Sequence, residues 1–214
     1  MRVRGNFSVR VATFALGAFI LFFVVGAAAA QDRMPPIPKD KMTEAQKEAS
    51  EKVIASRGAV GPFVPILRSP DLMNRLQSFG EYVRFHDSIE TKLTEFVILL
   101  TARQWTQQIE YDAHQPLALK AGLKQETIRT ITEGRRPTGM APDEEIVYDF
   151  CGELRQNQSV SDGTYARAVG KFGEQGVIDM TGLVGYYTTL AMILNVARSP
   201  LPEGEQAPLA PFPH

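Results

Sequence analysis

Residues 94–122, TEFVILLTARQWTQQIEYDAHQPLALKAG, constrain this chain more than any other stretch. Leu93, Phe96, Val97, Leu100 and Thr101 recur at helical spacing and make one face, while Ile98, Leu99 and Ala102 cover most of the rest. A helix that is apolar nearly all round belongs at the centre of a bundle. Into that run the sequence sets a carboxylate, Glu95, and a buried carboxylate needs a partner or becomes neutral. Further on come Gln107, Glu110 and His114, at steps of three and four, which form one stripe on an α-helix. A Glu beside a His is the minimum equipment for moving a proton at neutral pH.

The rest of the chain supplies helices to pack around this centre. Thr43 is placed to cap a first helix, and Ser69-Pro70 to open a second over about 70–82, with Leu72, Leu76 and Phe79 at helical spacing. Asp87-Ser88 should cap the central helix, which ends near Arg103. The next helix is expected over about 105–122, with Pro116 kinking it just after His114. Further helices are expected over 125–132, 142–157, 161–172 and 177–196. No stretch shows the alternation of a strand, so the reading is an all-α, single multi-helix bundle domain of about seven or eight helices. The domain spans 43–198, between a flexible lead-in (31–42) and a Pro-rich C-terminal arm (199–214).

Residues 1–30 have the layout of a signal peptide. Arg2, Arg4 and Arg10 give a basic start, an uncharged run follows, and Gly26 to Ala30 offers a small-residue cleavage site. Uncleaved, the same run is long enough to anchor the chain in a bilayer, its only expected membrane contact. Cleavage predicts a periplasmic or secreted protein. Losing the three arginines leaves 20 basic residues against 24 acidic ones, a mature net charge near −4, and such a protein is a poor partner for nucleic acid. Cys151 is the single cysteine, which excludes an internal disulfide, a dithiol redox centre and a multi-Cys zinc site. It reads as a buried thiol.

Other side chains complete the candidate site. Arg103 borders the stripe and is a candidate carboxylate anchor, with an ordinary salt bridge as the alternative. Tyr186 and Tyr187 read as core, with the Tyr187 hydroxyl the candidate to reach a substrate. His86 reads as a surface residue and Asp112 as solvated. Glu95, Glu110 and His114 would suffice as three ligands for zinc or iron. The di-iron bundle pattern, however, needs Glu-x-x-His twice, and here the spacing is four without a repeat. The reading therefore carries no cofactor.

The run Leu93-Thr-Glu95-Phe-Val-Ile-Leu-Leu, followed by Gln107-x-x-Glu110-x-x-x-His114-x-x-x-Ala118-x-x-x-Gly122, resembles the carboxymuconolactone decarboxylase and alkylhydroperoxidase D superfamily. The resemblance covers about 92–134 firmly and 51–202 more loosely. It implies an all-helical, oligomeric protein, a trimer or hexamer, with a Glu on one helix and the reactive pair and His on the next. The peroxidase branch carries Cys-x-x-Cys where this chain has Gln107-Gln-Ile-Glu110, so no sulfur nucleophile stands there to reduce a peroxide. The branch implied is the decarboxylase type. His114 would be the general acid/base, Glu110 or Glu95 would orient it or shuttle a second proton, and Gln107 would donate to an oxyanion or enolate. The expected substrate is a small carbonyl, lactone or carboxylate compound. A non-enzymatic ligand-binding or assembly protein, and a metal-dependent lyase or oxygenase, are the alternatives.

Overall fold

The computed structural model describes residues 31–210. The signal-peptide assignment to 1–30 and the last four residues of the Pro-rich arm lie outside them. The described residues form an all-helical bundle: α1 (Glu44–Arg57), α2 (Pro70–Phe85), α3 (Thr91–Gln104), α4 (Gln108–Lys120), α5 (Gln125–Thr132), α6 (Pro142–Asn157) and α7 (Asp162–Ala197). Short 3-10 turns at Lys39–Lys41, Gly61–Phe63 and Ile66–Arg68 precede α1 and join α1 to α2.

The apolar run places α3 at the centre, where every residue from 93 to 103 is buried. It packs against α4, α7, α6, α5 and α2. Phe96, Val97, Ile98, Leu99 and Ala102 are fully covered, as the all-round apolar pattern requires. The cap of α3 differs from the sequence expectation. Glu90 occupies the capping position without a side-chain bond, because Ser88 is drawn away: its amide and hydroxyl both donate to Asp179 on α7. Thr43 caps α1 as expected, closing a reciprocal pair of bonds with Gln46.

Helix α7 is two helical segments, 162–172 and 174–197, meeting at Gly173 with φ 71° and ψ 173°. That backbone region is accessible essentially to glycine alone. The second segment brings Met180, Leu183, Tyr186, Tyr187, Leu190 and Leu194 into the core. Helix α4 carries on through Pro116 to Lys120, so the expected kink after His114 does not end the helix. Pro116 is exposed, and fully buried Ala118 keeps the segment beyond it in place.

Both ends of the described chain are tied to the bundle. In the lead-in, the Arg33 amide donates to the Ala197 carbonyl (2.8 Å), and Arg68 donates to Pro35. In the arm, Leu209 is 3% exposed, and Gln108 clasps its backbone amide and carbonyl with both ends of its own side chain.

Candidate active site

The site begins at the tight connection between α3 and α4. Thr106 takes φ 47°, reversing the chain, and Gln107 caps α4 by accepting a bond from the Ile109 amide at 2.7 Å. The short link lays α4 against α3 and sets His114 opposite Glu95. Their side chains meet at 2.7 Å, Nδ1 to Oε2, with both residues buried. The other imidazole nitrogen, Nε2, lies 3.2 Å from the Tyr187 hydroxyl on α7. The His114 and Tyr187 rings pack edge to face with centroids 5.2 Å apart, and Tyr186 packs the same way on Tyr187. Three helices thus hold one chain of polar contacts, Glu95–His114–Tyr187.

Burial is the main force on the proton states. It lowers the His114 pKa from 6.5, against the Glu95 carboxylate, which works to raise it through both bond and charge. The imidazole is therefore neutral at pH 7. With Nδ1–H donating to Glu95, Nε2 is left as the acceptor for Tyr187. Burial also raises Tyr187 well above its ordinary value, so the phenol keeps its proton.

Glu110 sits one helical turn before His114 on the same face, and it is 3% exposed. Neither carboxyl oxygen has a hydrogen-bond partner within the protein. Desolvation holds its pKa well above the usual carboxylate range, which makes it a carboxylic acid with a proton to give. The two acids thus have separate environments, the pattern by which one site runs acid and base chemistry together. Glu95 faces an imidazole, whereas Glu110 faces a cavity.

That cavity measures about 430 Å³, within the range of small-molecule sites. Glu110, His114, Tyr186 and Tyr187 line its inner part, with Phe63, Ile109 and Leu190 supplying apolar wall. Arg57 and Arg84 also line it, from the last turns of α1 and α2. Tyr186 fits only because α2 carries glycine opposite it: a Cβ on Gly80 would overlap the Tyr186 hydroxyl and ring.

Of the residues expected from sequence, Glu95, Glu110, His114 and Tyr187 come together here. Gln107 and Arg103 do not line the cavity. The Gln107 amide is engaged as the α4 cap and donates to Asn195 at 2.8 Å. The Arg103 guanidinium donates to the Ala210 carbonyl of the arm at 2.8 Å. His86 is exposed at the end of α2, and Cys151 is buried away from the site in α6, its thiol pushed up to about 12 by desolvation. Sequence reasoning missed Arg57 and Arg84, which lie on helices remote from the stripe and carry no local signal of a site.

Among the described residues, no three His, Cys, Asp or Glu side chains converge as metal ligands. Glu95 and His114 are engaged with each other. In comparisons with known proteins, the chain matches no family model and no curated protein.

Proposed function

We propose that the protein is an acid–base enzyme that transfers protons next to a carbonyl group of a small molecule, as in decarboxylation, isomerisation or lactone chemistry. The observation that carries this reading is the hydrogen-bonded Glu95–His114–Tyr187 chain set beside the unpartnered acid Glu110 in one cavity. Glu110 would donate its proton to the substrate carbonyl oxygen as negative charge develops there. His114 Nε2 would take a proton from the adjacent carbon, with Tyr187 giving way, and return it on collapse. In decarboxylation it would instead take the proton of the substrate's own carboxylic acid group and deliver it to that carbon once carbon dioxide has left. Glu95 would hold the Nδ1–H tautomer and compensate the imidazolium that forms. In each direction the enol intermediate keeps charge off the carbon, and both side chains return to their starting states on collapse. The resemblance to the decarboxylase branch of the carboxymuconolactone decarboxylase-like superfamily supports the same reading.

Deuterium exchange tests it. Small keto acids and lactones incubated with the protein in heavy water should gain deuterium at the carbon beside the carbonyl, or lose carbon dioxide. His114→Ala and Glu110→Gln should each slow this by roughly 10²–10⁴. No exchange with any such compound, or unchanged rates in His114→Ala, would overturn the proposal.

Export and self-assembly belong to the same proposal. The layout of 1–30 supports cleavage and a periplasmic or secreted protein. Exposed apolar side chains on α2 and α7, among them Phe79, Tyr82 and Ile178, support a homo-oligomer, a trimer or hexamer. Light scattering at the mass of one chain would refute assembly.

A further inference from the structure

The proton chemistry leaves two cavity-lining side chains without a role, Arg57 and Arg84. Both are half-buried. Arg57 stacks over the Phe63 ring at 5.1 Å, and Arg84 over the Phe85 ring at 4.8 Å. Among the described residues neither guanidinium takes part in an ion pair. The Arg84 Nε is buried without a hydrogen-bond partner. Their positive charge reaches inward, opposing protonation of His114 and favouring ionisation of Tyr186. No lining carboxylate answers it, since the acid on the wall is Glu110, which desolvation keeps neutral. The cavity therefore holds two positive charges toward its rim and uncharged proton donors and acceptors inside. A partly desolvated guanidinium without a counterion is a costly arrangement unless a ligand supplies the anion.

We infer that Arg57 and Arg84 form an anion-binding subsite and that the ligand is a small carbonyl acid, its carboxylate on the two guanidiniums and its carbonyl against Glu110 and His114. The placement of the carbonyl rests on the proposed function; the placement of the carboxylate rests on the arginines alone. Phe63, Ile109, Tyr186 and Leu190 would contact the apolar body between the two ends. A carboxylate fits better than a phosphate. Both arginines project from the last turns of their helices, where the backbone presents carbonyl oxygens and a negative dipole end rather than the amides that favour a multiply charged anion.

The test is calorimetric titration of the mature protein with benzoylpropionate, an aryl keto acid, and with its methyl ester. The acid should bind in the sub-millimolar range and the ester about tenfold more weakly or worse. The double variant Arg57→Met/Arg84→Met should erase that preference. Arg57→Lys/Arg84→Lys, which keeps the charge but loses the fork of donors, should retain part of it and serves if the Met variant does not fold. His114→Ala should keep the preference in full. The inference is overturned if ester and acid bind equally, if both double variants keep the full preference, or if neither compound binds at about 10 mM. Acid-selective binding through the arginines without any exchange or turnover would support the subsite while removing the acid–base reading. Turnover of neutral lactones, unchanged in the arginine variants, together with no preference for the acid, would remove the subsite while leaving that reading.

Discussion

Replacing Glu95 by Gln isolates the charge behind His114. The two side chains meet at 2.7 Å and are 5% and 7% exposed, so little solvent screens the pair. A glutamine of the same shape still offers a carbonyl oxygen to Nδ1–H, which keeps the tautomer and the ring orientation. What is lost is the ionic character of the bond. Hydrogen bonds to a charged partner contribute about 1.5–3 kcal/mol and neutral ones about 0.5–1.5, a difference near 1 kcal/mol. Relief of the buried charge offsets part of that. For a domain of this size the melting temperature should therefore fall by no more than about 2–4 °C. The effect on the proton is larger in consequence. Burial lowers the His114 pKa, and Glu95 is the group resisting it, so removing the carboxylate should move the titration further down. The sign carries into stability. Below pH 6.5 the unfolded chain takes up this proton before the folded one, so stability falls as pH drops, and the variant should show the steeper fall. The chain has three histidines, His86, His114 and His214, so the ring signals can be assigned by single replacements and titrated by NMR. Deuterium exchange should slow by roughly 10²–10⁴, far more than the small loss of folded protein explains. A His114 titration that stays in place or moves upward would refute the reasoning.

Other outcomes follow from the same geometry. Gly80→Ala should push Tyr186 aside and cost about 1–3 kcal/mol by overpacking, read as a lower urea midpoint, with Tyr186→Phe recovering part of the loss. Cys151, with its thiol held at about 12, should not react with a thiol reagent in the folded protein, and the protein should show negligible peroxidase activity with a dithiol reductant. Desolvation, aided by the charge of Asp179, raises Asp87 to about 6, so its favourable contribution is complete below pH 3.8 and is lost as pH rises through 6; Asp87→Asn should raise the melting temperature at pH 7.5 and not at pH 3.5. Glu110 is raised further by burial, so its contribution also disappears as pH rises, and Glu110→Gln should flatten the alkaline decline in urea midpoint.

The central helix and the burial of Glu95 within it were legible because both follow from local periodicity. An all-round apolar run can only be central, and a carboxylate inside it must find a partner on whatever packs beside it. A short connection supplied that partner, His114, from the next helix. Gln107 was misread as part of the stripe because the positive φ at Thr106 ends the helical register just before it. Helix periodicity carries no information about such a turn. Arg103 was legible as buried but not as the anchor of residue 210, since a Pro-rich arm shows no pattern that reveals where it docks. Arg57 and Arg84 were hidden for a different reason. Each is an ordinary helix-ending arginine, and only the packing of α1 on α2 and of α2 on α7 makes them neighbours of one cavity.

The break at Gly173 bears on how this sequence can change. In an unbroken helix, one inserted residue turns everything beyond it by about 100°. A shift of that size would swing Tyr187 off His114 and Leu190 out of the cavity wall. Because the screw is interrupted at Gly173, the segment 174–197 takes its rotation from its own packing against α2 and α3 and not from the residues before the break. A change in length next to the break can be absorbed there, while Thr164 and Ala168 hold the first half of α7 against α6, so the hydroxyl that meets the imidazole stays in register.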